Sequence, residues 1–244
     1  MNEFNSRNQG SWPPPQQGGA WGSFGAETAA RAGVEERMGF VRKVYALFFA
    51  ASLFAIGGVA LGVTTPAVLM FAASHPWIML FMMLGGVFVA QAVRHVRGLN
   101  LAALFGFTTL TGVMISPVIA YVLGRNPDSL AAAGILTVGI FGGLTAYAFI
   151  SKRDFSFMRG MLMIGLVVVV LSSLLNIFLA VSAFSFAISA AALLLFSGFV
   201  LYDTSNIIRR YPTNEYVAGA LSLYLDAFNI FLALLNILNA GDRD

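Results

Sequence analysis

Residues 160–202 read GMLMIGLVVVVLSSLLNIFLAVSAFSFAISAAALLLFSGFVLY, which is 43 consecutive positions without Asp, Glu, Lys or Arg. A helix that crosses a bilayer needs about 20 apolar residues, because a rise of about 1.5 Å per residue must cover a hydrocarbon core of about 30 Å. The run is therefore long enough for two spans. The spans are predicted to be helices, since a backbone in lipid must satisfy its own hydrogen bonds and the roughly ten-residue alternation of a membrane β-barrel is absent.

Other uncharged runs extend this pattern over most of the 244-residue chain. Residues 44–93 have room for two spans, residues 98–124 and 129–151 for one each, and residues 216–241, interrupted only by Asp226, for the last. Charged residues make up 10% of the sequence, against about 25% in soluble domains, which excludes an ordinary soluble fold. The predicted fold is an all-α integral membrane protein with seven transmembrane helices. Their expected bounds are Val44–Val63, Trp77–Val93, Leu99–Leu123, Ser129–Ile150, Gly160–Val181, Ala183–Arg209 and Val217–Leu238.

The first 33 residues differ in composition from the rest. They are rich in Gly, Pro, Gln, Ser and Asn and contain too few apolar residues for a core. Residues 1–33 are therefore predicted to form a disordered cytoplasmic tail, and residues 34–244 the transmembrane domain. Within the tail, Pro13–Pro15 offer a short polyproline II segment to a partner, as the alternative to an inert tail. The chain has no cysteine, which excludes disulfides and thiolate metal sites.

The basic residues are distributed unequally between the two sides of the predicted membrane. Of the 14 Lys and Arg, 12 fall before the first span or in the even-numbered loops, and only Arg125 and Arg243 fall on the opposite side. Cytoplasmic loops carry such an excess, so the amino terminus is predicted in the cytoplasm and the carboxyl terminus outside. The same distribution explains the net charge of +3 without nucleic acid as a partner.

Glycine and proline predict how some spans pack. Gly58 and Gly62, and Gly139 and Gly143, have the small-xxx-small spacing that lets two helices approach closely. Pro117 lies inside the third span, where it removes a backbone hydrogen bond and predicts a kink.

Two acidic residues lie at membrane depth, Asp203 in LYDTSNII of the sixth span and Asp226 in LYLDAFNIF of the seventh. An unpaired charge at the bilayer centre costs roughly 2.5 to 3.5 kcal/mol, so each carboxyl needs a partner or a proton. The short connection between these spans makes them antiparallel neighbours, which allows the carboxyls to meet. One proton would then be shared, and the pair would act as a pH sensor. The alternative is a structural polar contact between the two helices.

The seventh span also carries a polar stripe. At 100° per residue, Ser222, Asp226, Asn229 and Asn236 fall on one face of the helix together with small residues. A lipid-facing helix would not carry this stripe, so the helix is expected to be surrounded by the others. Two interpretations stay open: the stripe lines a water path, or its asparagines make interhelical hydrogen bonds.

Arg94, at the cytoplasmic end of the second span, is a candidate counter-ion for Asp203, with an ordinary positive-inside anchor as the alternative. His75 and His95 are predicted on opposite sides of the membrane, so they cannot share a metal ion. The chain lacks a nucleotide-binding loop, a Ser/His/Asp set and an HExxH motif. Neither an enzyme activity nor a metal or cofactor is therefore expected.

An intramembrane aspartyl protease is the one enzyme class that two membrane aspartates bring to mind. Such enzymes resemble one another in a GxGD motif, whereas Leu223, Tyr224 and Leu225 precede Asp226 here. The sequence does not favour this class.

The segment from Phe199 to Asn236, with LYDTSNII and ALSLYLDAFNIFLALLN, resembles the Bax inhibitor-1 family of transmembrane Bax inhibitor motif proteins, in its bacterial branch. The similarity extends over the whole membrane part, including GVMISP at the end of the third span. The resemblance implies seven helices, six of them wrapped around a central carboxyl-terminal helix, in the inner membrane of a bacterium.

The resemblance also implies a pH-sensitive calcium leak controlled by an aspartyl pair. By position in the motifs, that pair is Asp203 and Asp226. Arg94 corresponds to an arginine that can latch onto the first aspartate, although here it is followed by His95 and Val96 rather than by a basic run. Calcium as the permeant ion comes from the resemblance alone.

Two hypotheses of different classes remain. The first is an inner-membrane cation leak, for calcium, in which the proton shared by Asp203 and Asp226 shifts an equilibrium between closed and open states. The second is a non-conducting partner protein that modulates other membrane proteins, such as a quality-control protease, through the tail and the lipid-exposed faces. Stress and survival functions associated with the family suit either hypothesis.

Overall fold

The computed structural model describes residues 33–96 and 98–240. In this part of the chain the architecture is all-helical. The predicted disordered tail, residues 1–33, lies outside the described residues except for Gly33. The helices are α1 (Val34–Thr64), α2 (Pro66–Ser74), α3 (Pro76–Ala92), α4 (Leu99–Arg125), α5 (Pro127–Ser151), a short 3-10 helix (Ser156–Met158), α6 (Arg159–Leu179), α7 (Ser182–Arg209) and α8 (Tyr216–Leu238).

Six of the described helices are each long and apolar enough to cross a membrane: α1, α4, α5, α6, α7 and α8. The count becomes seven if α2 and α3, which meet at a bend of 92°, together form one span. The predicted bounds agree with the helices to within two residues, with one exception: α1 begins at Val34 rather than Val44. The charged residues before Val44 are part of the same helix. Glu35 and Glu36 lie in its first turn, where their negative charge interacts favourably with the positive end of the helix dipole.

Two prolines explain why α2 is separate from its neighbours. Pro66 and Pro76 each occupy the first turn of a helix, where a missing N–H does no harm. The residue before each proline, Thr65 or His75, is disfavoured in helical geometry, so the preceding helix ends there. The predicted spans leave residues 64–76 as a connection, whereas most of these residues are helical in the structure.

The helices α1 and α4 pack backbone to backbone through glycines. A Cβ atom on Gly58 would meet the carbonyl of Thr109, and one on Gly112 would meet the carbonyl of Ala55. A Cβ atom on Gly62 would meet the side chain of Ser116. The predicted close approach at Gly58 and Gly62 is thus present in the structure.

The second predicted glycine pair behaves differently. A Cβ atom on Gly139 or Gly143 would find no heavy atom within 4 Å, so these residues of α5 face open space among the described residues. The same spacing serves packing on α1 and has no such role on α5.

The helix α4 continues through Pro117 from Leu99 to Arg125. Proline at this position leaves the carbonyl of Val113 without its helical donor. The hydroxyl of Ser116 donates to that carbonyl at 2.7 Å, which replaces the lost bond inside the membrane.

The carboxyl-terminal helix α8 is the most buried of the spanning helices and packs against α1, α4, α5 and α7. By contrast, α6 is packed mainly against α7 and exposes most of its apolar surface. This difference brings the polar face of α8 into the interior of the bundle.

Candidate functional site

The structure brings Asp203 and Asp226 together. Asp203 lies on α7 and Asp226 on α8, and a short connection makes these helices neighbours. The two carboxyl groups lie side by side, close enough to interact directly. Because ionised carboxylates only accept hydrogen bonds, a hydrogen bond between them would require a proton on one of the two.

Asp226 is the more deeply placed member of the pair. Its side chain is only 4% exposed, whereas Asp203 is half-buried. The Oδ2 atom of Asp226 is buried and receives no hydrogen bond from any N–H or O–H donor among the described residues. No other donor is therefore available to this oxygen in the described part of the chain.

Asp203 faces a cavity of about 500 Å³ at the end of the bundle where α7 ends and α8 begins. We call it the aspartate cavity. Its charged lining residues are Arg94, Arg159, Asp203, Arg210 and Glu215. Ser222 of the polar stripe also lines it, and the Ser222 Oγ lies 3.3 Å from the Tyr211 hydroxyl. The cavity connects the carboxyl pair with one end of the bundle.

Arg94 lines this cavity but is not paired with Asp203 in the described part of the chain. Its Nε donates to His95 Nε2 at 3.0 Å. His95 Nε2 in turn lies 3.9 Å from the Glu215 carboxylate. The structure thus places the candidate latch in the same cavity as Asp203, with its guanidinium directed to a neighbouring side chain.

The connection between α5 and α6 is attached to the end of α7 beside this cavity. Arg210 Nη2 donates to Asp154 Oδ2 at 2.6 Å and to Ser156 Oγ at 2.8 Å. The backbone N–H of Ser156 donates to Asp154 Oδ1, and this bond together with Arg210 lowers the pKa of Asp154 to about 2. The Asp154 carboxylate therefore stays ionised well below neutral pH. Further along the same connection, the N–H of Phe155 donates to Ser205 Oγ at 3.3 Å.

The polar stripe of α8 continues beyond Asp226 into a second cavity, of about 410 Å³, at the opposite end of the helix. We call it the asparagine cavity. Its polar lining residues are Tyr121, Ser173, Ser189, Asn229, Asn236 and Asn239.

The asparagines of the stripe differ in what they contact. Asn236 donates from Nδ2 to Ser185 Oγ at 3.1 Å and to Ser189 Oγ at 2.6 Å, which are hydrogen bonds between α8 and α7. Asn229 donates to the carbonyl of Leu225 on its own helix at 2.7 Å and lines the asparagine cavity. The stripe therefore combines helix-to-helix contacts with cavity lining.

The sequence reading missed several polar contacts around the pair. The hydroxyls of Thr111 on α4 and Tyr224 on α8 share a short hydrogen bond, and Tyr45 on α1 lies 3.4 Å from the Thr204 hydroxyl on α7. Arg159, which lines the aspartate cavity, is not predicted as a site residue either. These contacts join residues more than 100 positions apart, and no local spacing signals them.

The fold and the paired carboxyls define a multi-pass α-helical membrane protein with a polar interior along its last helix. A family model described as "Inhibitor of apoptosis-promoting Bax1" matches residues 37–243. The chain belongs to the Bax inhibitor-1 family, which confirms the resemblance seen in the sequence.

Relatives come from bacteria, viruses and animals. An uncharacterized protein of Campylobacter jejuni is 40% identical over 205 residues, which cover 82% of this chain and 88% of the relative. The Golgi anti-apoptotic protein of vaccinia virus is 33% identical over 224 residues, 91% of this chain and 93% of the relative. The Escherichia coli protein named "Modulator of FtsH protease YccA" is 47% identical over 94 residues, 38% of this chain and 42% of that protein.

Proposed function

We propose that this protein is a pH-sensitive cation leak, with calcium as the permeant ion, gated by the proton shared between Asp203 and Asp226. The observation that carries the proposal is the meeting of these two carboxyls at the inner side of a polar cavity. Carboxyl oxygens are the ligands that calcium prefers, and a carboxylate at membrane depth marks an ion pathway by default. The protein itself needs no cofactor and performs no enzymatic reaction.

A path for the ion follows the polar face of α8. Ser222 in the aspartate cavity lies four residues before Asp226, roughly 6 Å along the helix axis. Asn229 in the asparagine cavity lies three residues after Asp226, roughly 4.5 Å. The buried Asp226 is therefore the barrier between two cavities that together cover most of the helix. Movement of α7 relative to α8 would open this barrier.

The shared proton supplies the control. With the proton, the pair carries one negative charge and a hydrogen bond holds α7 to α8 at this point. Without it, two like charges face each other in a site of low dielectric, which disfavours the same arrangement. The pH thus shifts the equilibrium between the closed and open arrangements of the two helices.

The proposal includes the placement of the protein in the membrane. We place it in the inner membrane of a bacterium, with the amino terminus in the cytoplasm, the carboxyl terminus outside and α8 as the central helix of seven spans. The excess of basic residues on one side and the contacts of α8 with four helices support this placement. The name "Inner membrane protein YccA" of an Escherichia coli relative agrees with it.

The direct test is calcium entry into dye-loaded liposomes that contain the purified chain, measured between about pH 5 and pH 8. We expect a flux that exceeds that of protein-free liposomes and that changes with pH. The flux is expected to change with pH because the shared proton changes the charge of the pair by one unit. Absence of cation flux at every pH in this range would contradict the proposal.

A second candidate function is a non-conducting regulator of a membrane-bound protease. The observation that favours it is the name of the Escherichia coli relative, "Modulator of FtsH protease YccA", whose alignment covers 42% of that protein. Crosslinking in native membranes should then recover a protease of this type in stoichiometric amount, and deletion of residues 1–33 should abolish the recovery. Calcium flux without any such complex would favour the leak.

A further inference from the structure

The segment that follows α5 is bonded to the last two turns of α7 along its whole length. Each of its five residues, 152–156, makes at least one hydrogen bond to α7. The α7 residues in these bonds are Ser205, Arg209 and Arg210. We call the five residues and their three α7 partners the clasp. Its two sides are about 50 residues apart in the chain, so the clasp is a tertiary contact and not part of a local turn.

Ser205 is the buried centre of the clasp. Its side chain is only 2% exposed. The Ser205 Oγ accepts a hydrogen bond from the N–H of Phe155 at 3.3 Å and donates one to the carbonyl of Arg153 at 3.4 Å. Phe155 is buried as well, and its ring packs beside Tyr147 of α5. A buried N–H without an acceptor is costly, so this hydroxyl fixes the segment to α7.

Two arginines form the exposed side of the clasp. Arg209 donates to the carbonyl of Lys152, the residue at the end of α5. Arg210 is bonded to the Asp154 carboxylate, and the low pKa of about 2 keeps that carboxylate ionised throughout the range of the flux measurement. Exposed ion pairs contribute little to stability, so the buried Ser205 is expected to contribute more than Asp154 does.

The clasp lies directly beside the proposed gate. Ser205 follows Asp203 by two residues, roughly 3 Å along α7. The five-residue segment continues α5, which packs against α4, α7 and α8. The clasp therefore ties the end of α7 that carries Asp203 to a helix that is itself packed on α8. Movement of this end away from Asp226 would have to stretch or break the hydrogen bonds of the clasp.

We propose that the clasp is a closing device, which holds the Asp203 end of α7 against α8 and whose release lets α7 move. Its residues are positioning residues, because they act through the place of Asp203 and not on the ion. The effect on cation flux rests on the proposed function. The hold on α7 does not, because the position of the helix can be measured without any flux.

Spin labels can report the position of α7, because the chain has no cysteine of its own. The substitutions Leu194→Cys on α7 and Ile56→Cys on α1 place two labels at side chains that are 76% and 64% exposed. The helix α1 packs mainly against α4 and α8, so it serves as the fixed reference. Double electron–electron resonance on the full chain in liposomes then gives the distance distribution. We expect Ser205→Ala to increase the displaced population roughly fivefold, which is the typical effect of one hydrogen bond on an equilibrium.

Calcium flux is measured on the same variants. Ser205→Ala should raise the initial rate at a fixed pH by a similar factor. The matched control is Ser52→Ala in α1, since that hydroxyl donates to the Phe48 carbonyl of its own helix, and it should leave both measurements unchanged. Asp154→Asn is the second variant: it lies in the exposed segment, so it opens no cavity in the core, and it should act in the same direction by roughly twofold.

Hydrogen exchange at the Phe155 amide shows whether the clasp has been broken. If this amide exchanges faster in Ser205→Ala while the spin-label distances stay native, the segment is a passive loop and the proposal is overturned. An equal shift in Ser52→Ala would overturn it too, because any lost hydroxyl would then loosen the bundle. If the displaced population grows but neither the native chain nor the variant conducts calcium, the clasp is upheld and the proposed leak is contradicted.

Discussion

Replacing Asp226 by Asn should make the calcium flux independent of pH. Asparagine has nearly the same shape as aspartate and can hydrogen-bond Asp203, but it cannot lose a proton. Two like charges about 4 Å apart repel by roughly 4 kcal/mol at an effective dielectric constant of 20, so the native flux should change by about tenfold or more across the transition. The measurement is the initial rate of calcium entry into proteoliposomes at closely spaced pH values.

Control variants separate the pair from other titrating groups. Asp128→Asn removes an exposed carboxylate at the start of α5 and should leave the pH profile as it is. His95→Gln is a second control, because its imidazole lies 3.9 Å from the Glu215 carboxylate beside the cavity. Asp154 is not a source of the effect, since its pKa of about 2 lies far below the range. A native pH profile in Asp226→Asn would contradict the proposed sensor.

Replacing Gly58 by Ala should destabilise the bundle strongly. The added methyl group would meet the backbone of Thr109 and lie 3.1 Å from the backbone nitrogen of Val113 on α4. Backbone atoms inside a helix cannot move aside as a flexible side chain can, so α1 and α4 must separate locally. Overpacking of this kind typically costs about 1 to 3 kcal/mol. The measurement is the unfolding of the purified protein in detergent by heat or by a denaturing detergent.

The neighbouring residue supplies the matched control. Gly57 lies on the same helix and a Cβ atom there would meet no heavy atom within 4 Å. Gly57→Ala should therefore be neutral or stabilise by up to about 1 kcal/mol, because alanine favours the helical backbone over glycine. Equal effects of the two substitutions would show that the close approach of α1 and α4 is not what Gly58 provides.

The element bounds were largely predictable because burial in lipid acts on local sequence. A run of about 20 uncharged residues has no other low-energy state in a bilayer than a helix, and the observed helices follow those runs closely. Two differences from the predicted bounds concern where helices begin. The structure begins α1 ten residues earlier than predicted, at Val34, and makes residues 66–74 a separate helix between Thr65 and His75. Apolar runs mark what can enter lipid and do not mark where a helix begins.

The two aspartates of the candidate site could be predicted from the sequence, but the residues around them could not. Asp203 and Asp226 stood out because a carboxyl at membrane depth is costly, which is a property of each residue in its own segment. The residues around them did not stand out: Arg159 and Glu215 look like ordinary loop charges, and their presence in the aspartate cavity depends on how α6 and α8 begin. Such positions follow from the packing of distant segments.

By itself, the sequence determined the membrane class, the helical spans, the family and the two carboxyls at membrane depth, because lipid insertion is decided segment by segment. Only the tertiary structure decided which partners those segments have. It packs Gly58 against α4 and leaves Gly139 in open space, although the two have the same spacing to a second glycine. It buries Asp226 more deeply than Asp203 and directs Arg94 to His95. These outcomes depend on side-chain shape across helices far apart in the chain, and no local energy term contains that information.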